Sequence, residues 1–284
     1  MKTLGYYNEL IDELDKVKIP ILDRACYFGD GVYDATTCYN GNIFLIDEHI
    51  DRFFKGIEQL NIKAPIERFE LKQLLQDLVN KVDKNSGILM VYWQATRGTA
   101  IRQHSFLNDM SSNLSVMIYP VLFWNCQIPL KVITLEDTRF LHCNIKTLNL
   151  IPNVIAQQKA KMCGCNEAVL HRNGRVTECA SSNISIIKEG VFRTAPTNNL
   201  ILNGISRQRL IYYCNVLDIP VVEEAFTLEE LFKADDVIVS SSGMLCVPVS
   251  HIDGNEVGGK SNGLMEKLRG AILDEYYEKT GFKH

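Results

Sequence analysis

The chain has 284 residues, of which 46% are hydrophobic and 23% are charged, and its formal net charge is −4. These proportions are typical of globular proteins and argue against long disordered segments. The nearly balanced charge gives no sign of a nucleic-acid or membrane partner attracted by bulk charge. No apolar run reaches the ~18 residues of a membrane span, and the first residues lack the apolar segment of a secretion signal, so we expect a cytoplasmic protein.

Nine cysteines are scattered along the chain. The only close pair, Cys163 and Cys165, is separated by one residue rather than by the two residues of a C-x-x-C motif. In a protein without a secretion signal, this distribution favours reduced thiols. The spacing matches no metal-binding pattern, so we predict no metal site.

The first half of the chain predicts two helices followed by two strands. Residues 47–62 repeat apolar side chains at helical spacing, with Asp47 in the N-cap position. A second helix is predicted over 66–82. Segments 87–98 and 114–123 are rich in β-branched and aromatic residues and predict strands.

The second half of the chain alternates strands and helices irregularly. The predicted elements are a strand at 130–137, a helix at 151–163, hairpins at 167–178 and 183–196, a helix that starts near Ser206, a strand–turn–strand segment at 236–249 and a helix at 262–280. Without regular βαβ units, this order predicts a mixed α/β (α+β) fold with two subdomains. We place an N-terminal α/β domain at 1–120, a linker at 121–129 and a C-terminal α/β domain at 130–284.

An isolated lysine, Lys146, interrupts the apolar stretch CNIKTLNLIPN at residues 143–153. Burying an unpaired ammonium group is costly, whereas a neutral amine attacks carbonyl carbons and forms Schiff bases. Lys146 is therefore a candidate nucleophile. The alternative is an ordinary lysine whose methylene chain packs while its ammonium group reaches water, and this residue on its own favours that alternative.

A carboxylate, Glu178, closes a predicted strand just before the small residues 179–182. A carboxylate in this position is suited to hold a protonated ring nitrogen. The alternative is an ordinary acidic residue at the edge of a sheet, which this residue alone favours.

Two later turns carry groups suited to a phosphate. Ile205 and Ser206 lie at a loop-to-helix junction, where unpaired backbone N–H groups attract anions. Ser241 and Ser242 offer hydroxyl and amide groups in a turn after a strand, and Arg52 would add positive charge. The alternatives are a plain serine-rich turn and a helix N-cap.

The segment TRGTAIRQH, residues 96–104, carries Arg102 and His104 two positions apart. An extended chain points both side chains to the same side, and a guanidinium beside an imidazole is a good receptor for a carboxylate. The alternative is a loop arginine surrounded by water.

In combination and in this order, these segments resemble the class IV (fold-type IV) pyridoxal-phosphate-dependent aminotransferases, most closely their D-amino-acid (D-alanine) branch. The resemblance covers nearly the full chain. The segments that carry it are DRACYFGDGVYDATTCYNG, DEHIDRF, TRGTAIRQH, CNIKTLNLIPNVIAQQKA, GCNEAVLHRNGRVTECASSNI, NGISR and SSSGMLCVPV.

The resemblance implies a role for each candidate residue. Lys146 would form a Schiff base with pyridoxal 5'-phosphate and shuttle the proton, and Glu178 would pair with the ring nitrogen. The residues implied for the phosphate are Arg52, Ile205, Ser206, Ser241 and Ser242. The residues implied for the substrate carboxylate are Tyr33, Arg102 and His104.

The resemblance also implies two α/β domains with the cofactor in the interdomain cleft, and a homodimer whose subunits share the active site. The implied reaction is transamination between a D-amino acid, such as D-alanine, and a 2-oxo acid, such as 2-oxoglutarate. Alternatives are 4-amino-4-deoxychorismate lyase, a branched-chain L-amino-acid aminotransferase and a non-enzymatic protein that keeps the fold. Ala180, Gly243 and Leu245 depart from the family pattern, and the last two bear on the substrate pocket.

Overall fold

The computed structural model describes residues 1–107 and 109–283, without the side chain of Lys84. Packing divides the chain into two compact units. The first contains Met1–Phe123, Ile145–Asn149 and Glu278–Lys283, and the second contains 124–144 and 150–277. Lys146 thus packs with the first unit, whereas its position in the sequence suggested the domain at 130–284. The domain boundaries themselves stay a prediction.

The first unit is an antiparallel sheet with two long helices. Its strands are β1 (Leu4–Tyr7), β2 (Leu10–Asp12), β3 (Gly31–Tyr39), β4 (Asn42–Ile43), β5 (Leu89–Thr96) and β6 (Asn113–Pro120). They lie in the order β2-β1-β6-β5-β3-β4. Its helices are α1 (Ala25–Phe28), α2 (Ile46–Gln59), α3 (Arg68–Val79) and a short 3₁₀ helix (Lys84–Ser86).

The core of the first unit lies between α2, α3 and the central strands. Phe53 of α2, Leu75 of α3 and Trp93 of β5 are among its fully buried side chains. The expected N-cap at Asp47 is wrong, because α2 begins at Ile46 after Leu45, which takes the left-handed conformation at φ 48°. Asp47 instead lies in the first turn, where its charge complements the positive end of the helix dipole.

The second unit is built on a nine-stranded mixed sheet. Its strands are β7 (Leu130–Glu136), β8 (Glu167–Arg172), β9 (Arg175–Cys179), β10 (Asn183–Lys188), β11 (Val191–Thr194), β12 (Val221–Glu223), β13 (Asp236–Ser240), β14 (Val247–Ile252) and β15 (Asn255–Glu256). The order is β12-β11-β10-β13-β14-β7-β8-β9, with β15 on β14. Three pairs are parallel, β11–β12, β14–β7 and β7–β8. Its helices are α4 (Ile151–Met162), α5 (Ile205–Val216), α6 (Leu228–Phe232) and α7 (Leu264–Thr280).

Two hairpins of this sheet follow from local sequence. The turns β8–β9 and β10–β11 place Asn173-Gly174 and Glu189-Gly190 at positive φ, between 49° and 79°. Such pairs match the right-handed twist of the flanking strands, which is why Asn-Gly is a strong hairpin signal. Within the described ranges, no helix is both long and apolar enough to cross a membrane.

Candidate active site

Lys146 is held against β3 of the first unit. Its backbone carbonyl accepts a hydrogen bond from the N–H of Tyr33 at 2.9 Å, and the N–H of Leu148 donates to Gly31 at 3.1 Å. The ammonium nitrogen donates to the Tyr33 hydroxyl at 3.2 Å and lies 4.3 Å from the centre of that ring. The half-buried amine is therefore fixed in position by both main-chain and side-chain contacts.

Tyr33 is itself positioned by an aromatic neighbour. Its ring stacks on Tyr92 of β5 with 5.3 Å between centroids, and the Tyr92 hydroxyl donates to Gln94 at 2.8 Å. Burial, followed by the nearby phenols, raises the pKa of Tyr92. Tyr92 thus remains a neutral hydrogen-bond donor, and the pair of rings forms a rigid wall beside Lys146.

Arg52 of α2 is bound by a buried carboxylate that we did not predict as a site residue. Asp34 alternates with Tyr33 on β3, so the two side chains leave the strand on opposite faces. Nε and Nη2 of Arg52 donate to Asp34 at 2.8 and 2.7 Å. Burial favours the neutral carboxyl, but Arg52 and His49 outweigh that effect and lower the pKa of Asp34.

His49 completes this cluster on the buried side of α2. Its Nδ1 lies 2.7 Å from Asp34 Oδ1, and its side chain is 1% exposed. Burial lowers the pKa of His49, although the Asp34 charge opposes that shift. His49 therefore acts here as a buried hydrogen-bond partner, and Arg52 supplies the positive charge of the cluster.

Arg102 and His104 lie in an exposed loop after β5 and share one aromatic contact. The guanidinium carbon of Arg102 lies 4.9 Å from the centre of the Phe28 ring, and the His104 ring lies 5.1 Å from it. The loop bends rather than continuing as a strand. The structure nevertheless brings both side chains against one ring, and their joint role stays a prediction.

Glu178 lies near the end of β9 in the second unit, where it is 6% exposed. Its Oε1 accepts a hydrogen bond from Nη1 of Arg139. Its Oε2 accepts hydrogen bonds from the Asn183 amide and from the Leu202 N–H, each at 3.0 Å. A carboxylate with three donors in a buried setting is well stabilised in its ionised form.

Arg139 is another contributor that sequence reasoning missed, and it is fixed by a second carboxylate. Nε and Nη2 of Arg139 donate to Asp137 at 3.0 and 2.9 Å. Burial opposes the charge on Asp137, but the hydrogen bonds from Arg139 lower its pKa. Burial also opposes the charge on Arg139, whose pKa is nevertheless raised by Asp137 and Glu178. Glu178 therefore faces a permanent cation.

Ile205 and Ser206 are the first residues of α5 and are both buried. The first hydrogen bond within the helix runs from the Gln208 N–H to the Gly204 carbonyl, so the earlier N–H groups have no partner in the helix. Gly204 is the N-cap and makes no side-chain cap. A Cβ at Gly204 would overlap Oδ1 of Asn183, so this close approach requires glycine.

Ser241 and Ser242 follow β13 in a turn closed by two hydrogen bonds. The N–H groups of Met244 and Leu245 donate to the Ser241 carbonyl at 3.1 and 2.7 Å. Leu245 is fully buried at φ 48°, so it packs in the core rather than lining an open pocket. A Cβ at Gly243 would meet no atom within 4 Å, so the turn is open at that position.

Each unit gathers one set of the predicted residues. The first unit brings together Lys146 and Tyr33, places Arg52 behind the same strand, and carries the loop with Arg102 and His104. In the second unit Asn183 lies between Glu178 and the two turns predicted for the phosphate. It contacts Glu178, approaches Gly204 before α5, and pairs with Ser240 at the end of β13 in the β10–β13 register. The functional roles of these residues stay a prediction.

Sequence reasoning missed the partners of these residues. Asp34 lies inside a motif that the resemblance relied on, and its position next to Tyr33 was the available signal. Arg139 and Asp137 are charged residues directly after the apolar strand β7, a weaker signal. Asn183 also lies inside a segment that the resemblance relied on, residues 164–184, but nothing in the sequence indicated its contact with Gly204, which only the folded chain creates.

Comparison with known protein families assigns most of the chain. The family description "Amino-transferase class IV" matches residues 31–252. The D-alanine aminotransferase of Listeria monocytogenes serotype 4b (strain F2365) is 39% identical over 284 residues, covering 96% of both chains. The D-alanine aminotransferase of Bacillus licheniformis is 37% identical, covering 97% of this chain and 98% of its own.

Solved structures share the fold at lower identity. The branched-chain amino acid aminotransferase of Escherichia coli has a TM-score of 0.87 at 21% identity, covering 100% of this chain and 96% of its own. The branched-chain aminotransferase of Thermoproteus uzoniensis, solved with norvaline, has a TM-score of 0.86 at 20% identity, covering 97% of both chains. At this identity the likeness establishes the fold alone, and it confirms the predicted fold class.

Proposed function

This chain belongs to the class IV aminotransferases, and from that premise we propose that it transfers the amino group of D-alanine and related D-amino acids to 2-oxo acids such as 2-oxoglutarate. The observation that carries the substrate assignment is the placement of Arg102 and His104 against one ring, Phe28. Identities of 37–39% to D-alanine aminotransferases over nearly the whole chain support the same assignment.

The cofactor of this aminotransferase is pyridoxal 5'-phosphate, and the groups in the two units fit it. Lys146 offers an amine, Glu178 a carboxylate stabilised by a cation, and α5 an N-terminus with unpaired N–H groups. The absence of a Cβ at Gly204 lets Asn183, which also holds Glu178, approach the backbone at that N-terminus. The residues that we propose for the phosphate are Arg52, Ile205, Ser206, Ser241 and Ser242.

The cofactor, when bound, supplies an electron sink for the negative charge that develops at the substrate Cα. We assign the ring nitrogen to Glu178, because a carboxylate held ionised by Arg139 keeps that nitrogen protonated. Asn183 and the Leu202 N–H prevent the carboxylate from rotating away. The second unit thus controls the charge of the cofactor.

Lys146 Nζ removes the proton from the substrate Cα and returns a proton later in the cycle. A general base must lie within hydrogen-bond reach of the proton that it takes, and its orientation decides its efficiency. Tyr33 supplies that orientation through the 3.2 Å contact with Nζ, since its own ring is fixed on Tyr92. The stacked rings also exclude water from one side of the amine.

Arg102 and His104, together with Tyr33, bind the α-carboxylate of the substrate. A carboxylate gripped by a guanidinium and an imidazole has a fixed orientation. Which substituent of Cα faces Lys146, the hydrogen or the side chain, then depends on the enantiomer. The D-amino acid presents its proton to the amine, and the L-amino acid presents its side chain.

We further propose that two copies of the chain pair through a surface formed by residues 19–22 and 101–107. Ile21, Ile101 and Leu107 are 84%, 74% and 61% exposed, and contiguous apolar surface of this kind marks interaction sites. The N–H of Ala100 donates to the Leu22 carbonyl at 3.1 Å, so the two segments are adjacent. We place the enzyme in the cytoplasm, which nine unpaired cysteines support.

The test uses the absorbance of the purified protein and its products. Addition of D-alanine should bleach the cofactor band and release one equivalent of pyruvate, and further addition of 2-oxoglutarate should restore the band, form D-glutamate and sustain pyruvate release. L-alanine should do neither. A reaction with L-amino acids alone would overturn the D-specific assignment, and pyruvate from aminodeoxychorismate without a 2-oxo acid would indicate the lyase reaction instead.

A further inference from the structure

A buried cluster of charges lies at the base of the loop that carries Arg102 and His104. We call Arg24, Asp30 and Arg97 the loop clamp. Their side chains are 3%, 14% and 9% exposed. Burying ionised groups is costly unless they are paired and hydrogen-bonded, so a cluster of this kind needs a structural purpose.

Arg24 connects the loop clamp directly to the loop backbone. Its Nη1 donates to the Gln103 carbonyl at 2.9 Å, and its Nη2 donates to the His104 carbonyl at 3.4 Å. Its Nε donates to Asp30 at 2.7 Å. Among the residues that the structure describes, Arg24 supplies the hydrogen bonds that segment 101–107 makes.

Asp30 joins Arg24 to the second arginine of the clamp. Nε of Arg97 donates to both oxygens of Asp30, at 3.1 and 2.9 Å. The other nitrogens of Arg97 donate to the carbonyls of Asn61 and Leu60 just after α2, at 2.9 and 3.0 Å. Asp30 therefore connects the loop, through Arg24 and Arg97, to the end of α2, the longest helix of the first unit.

Aromatic contacts connect the loop clamp to the loop on both sides of His104, at Arg102 and at Phe106. Arg24 and Arg102 each lie 4.9 Å from the centre of the Phe28 ring, and Arg97 lies 3.9 Å from that of Phe106. Arginine stacks on aromatic rings while its N–H groups bond in the ring plane, which lysine does not reproduce. Arg24 thus contacts the ring that orients both carboxylate-binding residues.

We propose that Arg24 is a positioning residue for the substrate carboxylate. It fixes the main chain on either side of His104, and it shares the Phe28 ring with Arg102. This inference rests on the proposed function, since it assumes that Arg102 and His104 bind the α-carboxylate. Releasing the two carbonyls would leave the loop backbone without these hydrogen bonds and held between its ends by aromatic contacts alone, so the two groups would no longer converge as well on one carboxylate.

The expected consequence is a split between KM and kcat. A loosened loop binds the carboxylate less well, whereas Lys146 and its contact with Tyr33 lie outside the loop and stay in place. In Arg24→Gln, the KM for D-alanine should rise about tenfold or more, and kcat should change less than about threefold. The inhibition constant of propionate, a carboxylate without an amino group, should rise by a similar factor.

Arg24→Lys provides the conservative comparison. A lysine keeps the charge beside Asp30, but its single ammonium group cannot hold two carbonyls, one carboxylate and an aromatic face together. Its KM should therefore lie between those of the wild type and Arg24→Gln. Arg68→Gln is the matched control, because Arg68 is 45% exposed on α3 and its loss should leave both constants unchanged.

The possible results distinguish a failure of the proposed function from a failure of the positioning role of Arg24. A wild-type holoenzyme that does not turn over D-alanine contradicts the proposed function. With an active wild type, the positioning role is overturned when either variant melts and absorbs like the wild type but keeps its KM and propionate inhibition. A fall in kcat at unchanged KM also overturns it, because that would place Arg24 in the chemistry. Should Arg24→Gln fail to fold, Arg24→Lys carries the test.

Discussion

Arg52 is bound at two points by Asp34, with Nε–Oδ2 at 2.8 Å and Nη2–Oδ1 at 2.7 Å. Asp34 has no exposed surface, and His49 occupies its remaining side. Bidentate pairing fixes the plane of the guanidinium as well as its position. A phosphate that binds Arg52 therefore meets a group whose side-chain entropy has already been lost, which improves affinity without any added contact.

Asp34→Asn tests this preorganisation. The variant keeps the shape of the side chain but replaces one acceptor by a donor that faces Arg52. We expect the dissociation constant of pyridoxal 5'-phosphate to rise about tenfold, the factor that corresponds to ~1.4 kcal/mol. Absorbance titration of the cofactor-free protein measures it. Asp47→Asn, at an exposed aspartate of α2, the helix that carries Arg52, is the control, and equal affinities of the two variants would contradict the role of Asp34.

The lowered pKa of Asp34 also predicts how the free energy of unfolding depends on pH. Arg52 and His49 hold the pKa of Asp34 below its ordinary value, despite burial. A group with a lowered pKa in the folded state contributes stability above its unfolded pKa, and that contribution is lost as the pH falls toward the folded value. We expect Asp34→Asn to be destabilised by about 3 kcal/mol at pH 7. Below about pH 4, the difference should shrink steadily.

Urea unfolding of both proteins between pH 7 and pH 3 measures this difference. Asp47→Asn should follow the wild-type profile throughout, because Asp47 is exposed and its pair with Lys72 is a surface contact. A destabilisation of Asp34→Asn that stays constant across this range would show that the loss is steric rather than electrostatic.

Lys146→Ala should remove the covalent attachment of the cofactor while leaving the first unit folded. The lysine contributes its carbonyl to β3 through the Tyr33 N–H, and alanine retains that bond. We expect turnover of D-alanine to fall by at least about 10³-fold, because both the nucleophile and the general base are lost. Absorbance spectra and pyruvate release measure the two effects. Lys81→Ala, at an exposed site, should change neither.

Helices and hairpins with a strong local signal were predictable from the sequence. Residues 47–62 and 151–163 were predicted as helices, and they form α2 and α4 within three residues of those bounds. Periodic apolar side chains specify such a helix wherever its partner lies. The short strands β1, β4, β12 and β15 were not predicted, because two to four residues carry no periodicity and depend on remote partners, as Val221 does on Phe192.

The candidate site shows the same difference between features with a local sequence signal and features that depend on remote contacts. Lys146 and Glu178 became candidates because their chemical types stand out in apolar or small-residue surroundings, although each residue alone favoured an ordinary role and only the resemblance assigned them to the site. Their supports were not, since Arg139 lies 39 residues from Glu178 in sequence. The loop clamp illustrates the point further, because Arg24 and His104 are 80 positions apart and meet only once β3 and β5 have paired. Sequence reasoning finds reactive groups more easily than the groups that orient them.

Glu178→Gln tests the charge of the second unit. Glutamine keeps one oxygen as an acceptor, but its NH₂ group then faces either Arg139 or the two donors on the other side, the Asn183 amide and the Leu202 N–H. The unfavourable pairing should cost about 1–3 kcal/mol of stability. Loss of the negative charge should lower kcat about 100-fold while cofactor binding persists. Glu224→Gln, at an exposed site, is the control, and an unchanged kcat would remove Glu178 from the proposed mechanism.

Gly204→Ala tests the close approach at the N-terminus of α5. An added Cβ would overlap Oδ1 of Asn183, and the same asparagine holds Glu178 through a 3.0 Å hydrogen bond. One methyl group should therefore disturb both the residues proposed for the phosphate at the start of α5 and Glu178, which is proposed for the ring nitrogen. We expect a loss of about 1–3 kcal/mol in the free energy of unfolding, the usual cost of overpacking, and weaker cofactor binding.

Gly270→Ala is the matched control, because Gly270 lies within α7 and a Cβ there meets no atom within 4 Å. An alanine in a helix interior is favoured over glycine by ~0.5–1 kcal/mol, so this variant should be slightly more stable than the wild type. Opposite signs for the two glycine-to-alanine changes, measured by urea unfolding, would assign the loss at Gly204 to its contact with Asn183. A stable Gly204→Ala protein with wild-type cofactor affinity would show that the contact yields without cost, and that the turn before α5 has room for a side chain.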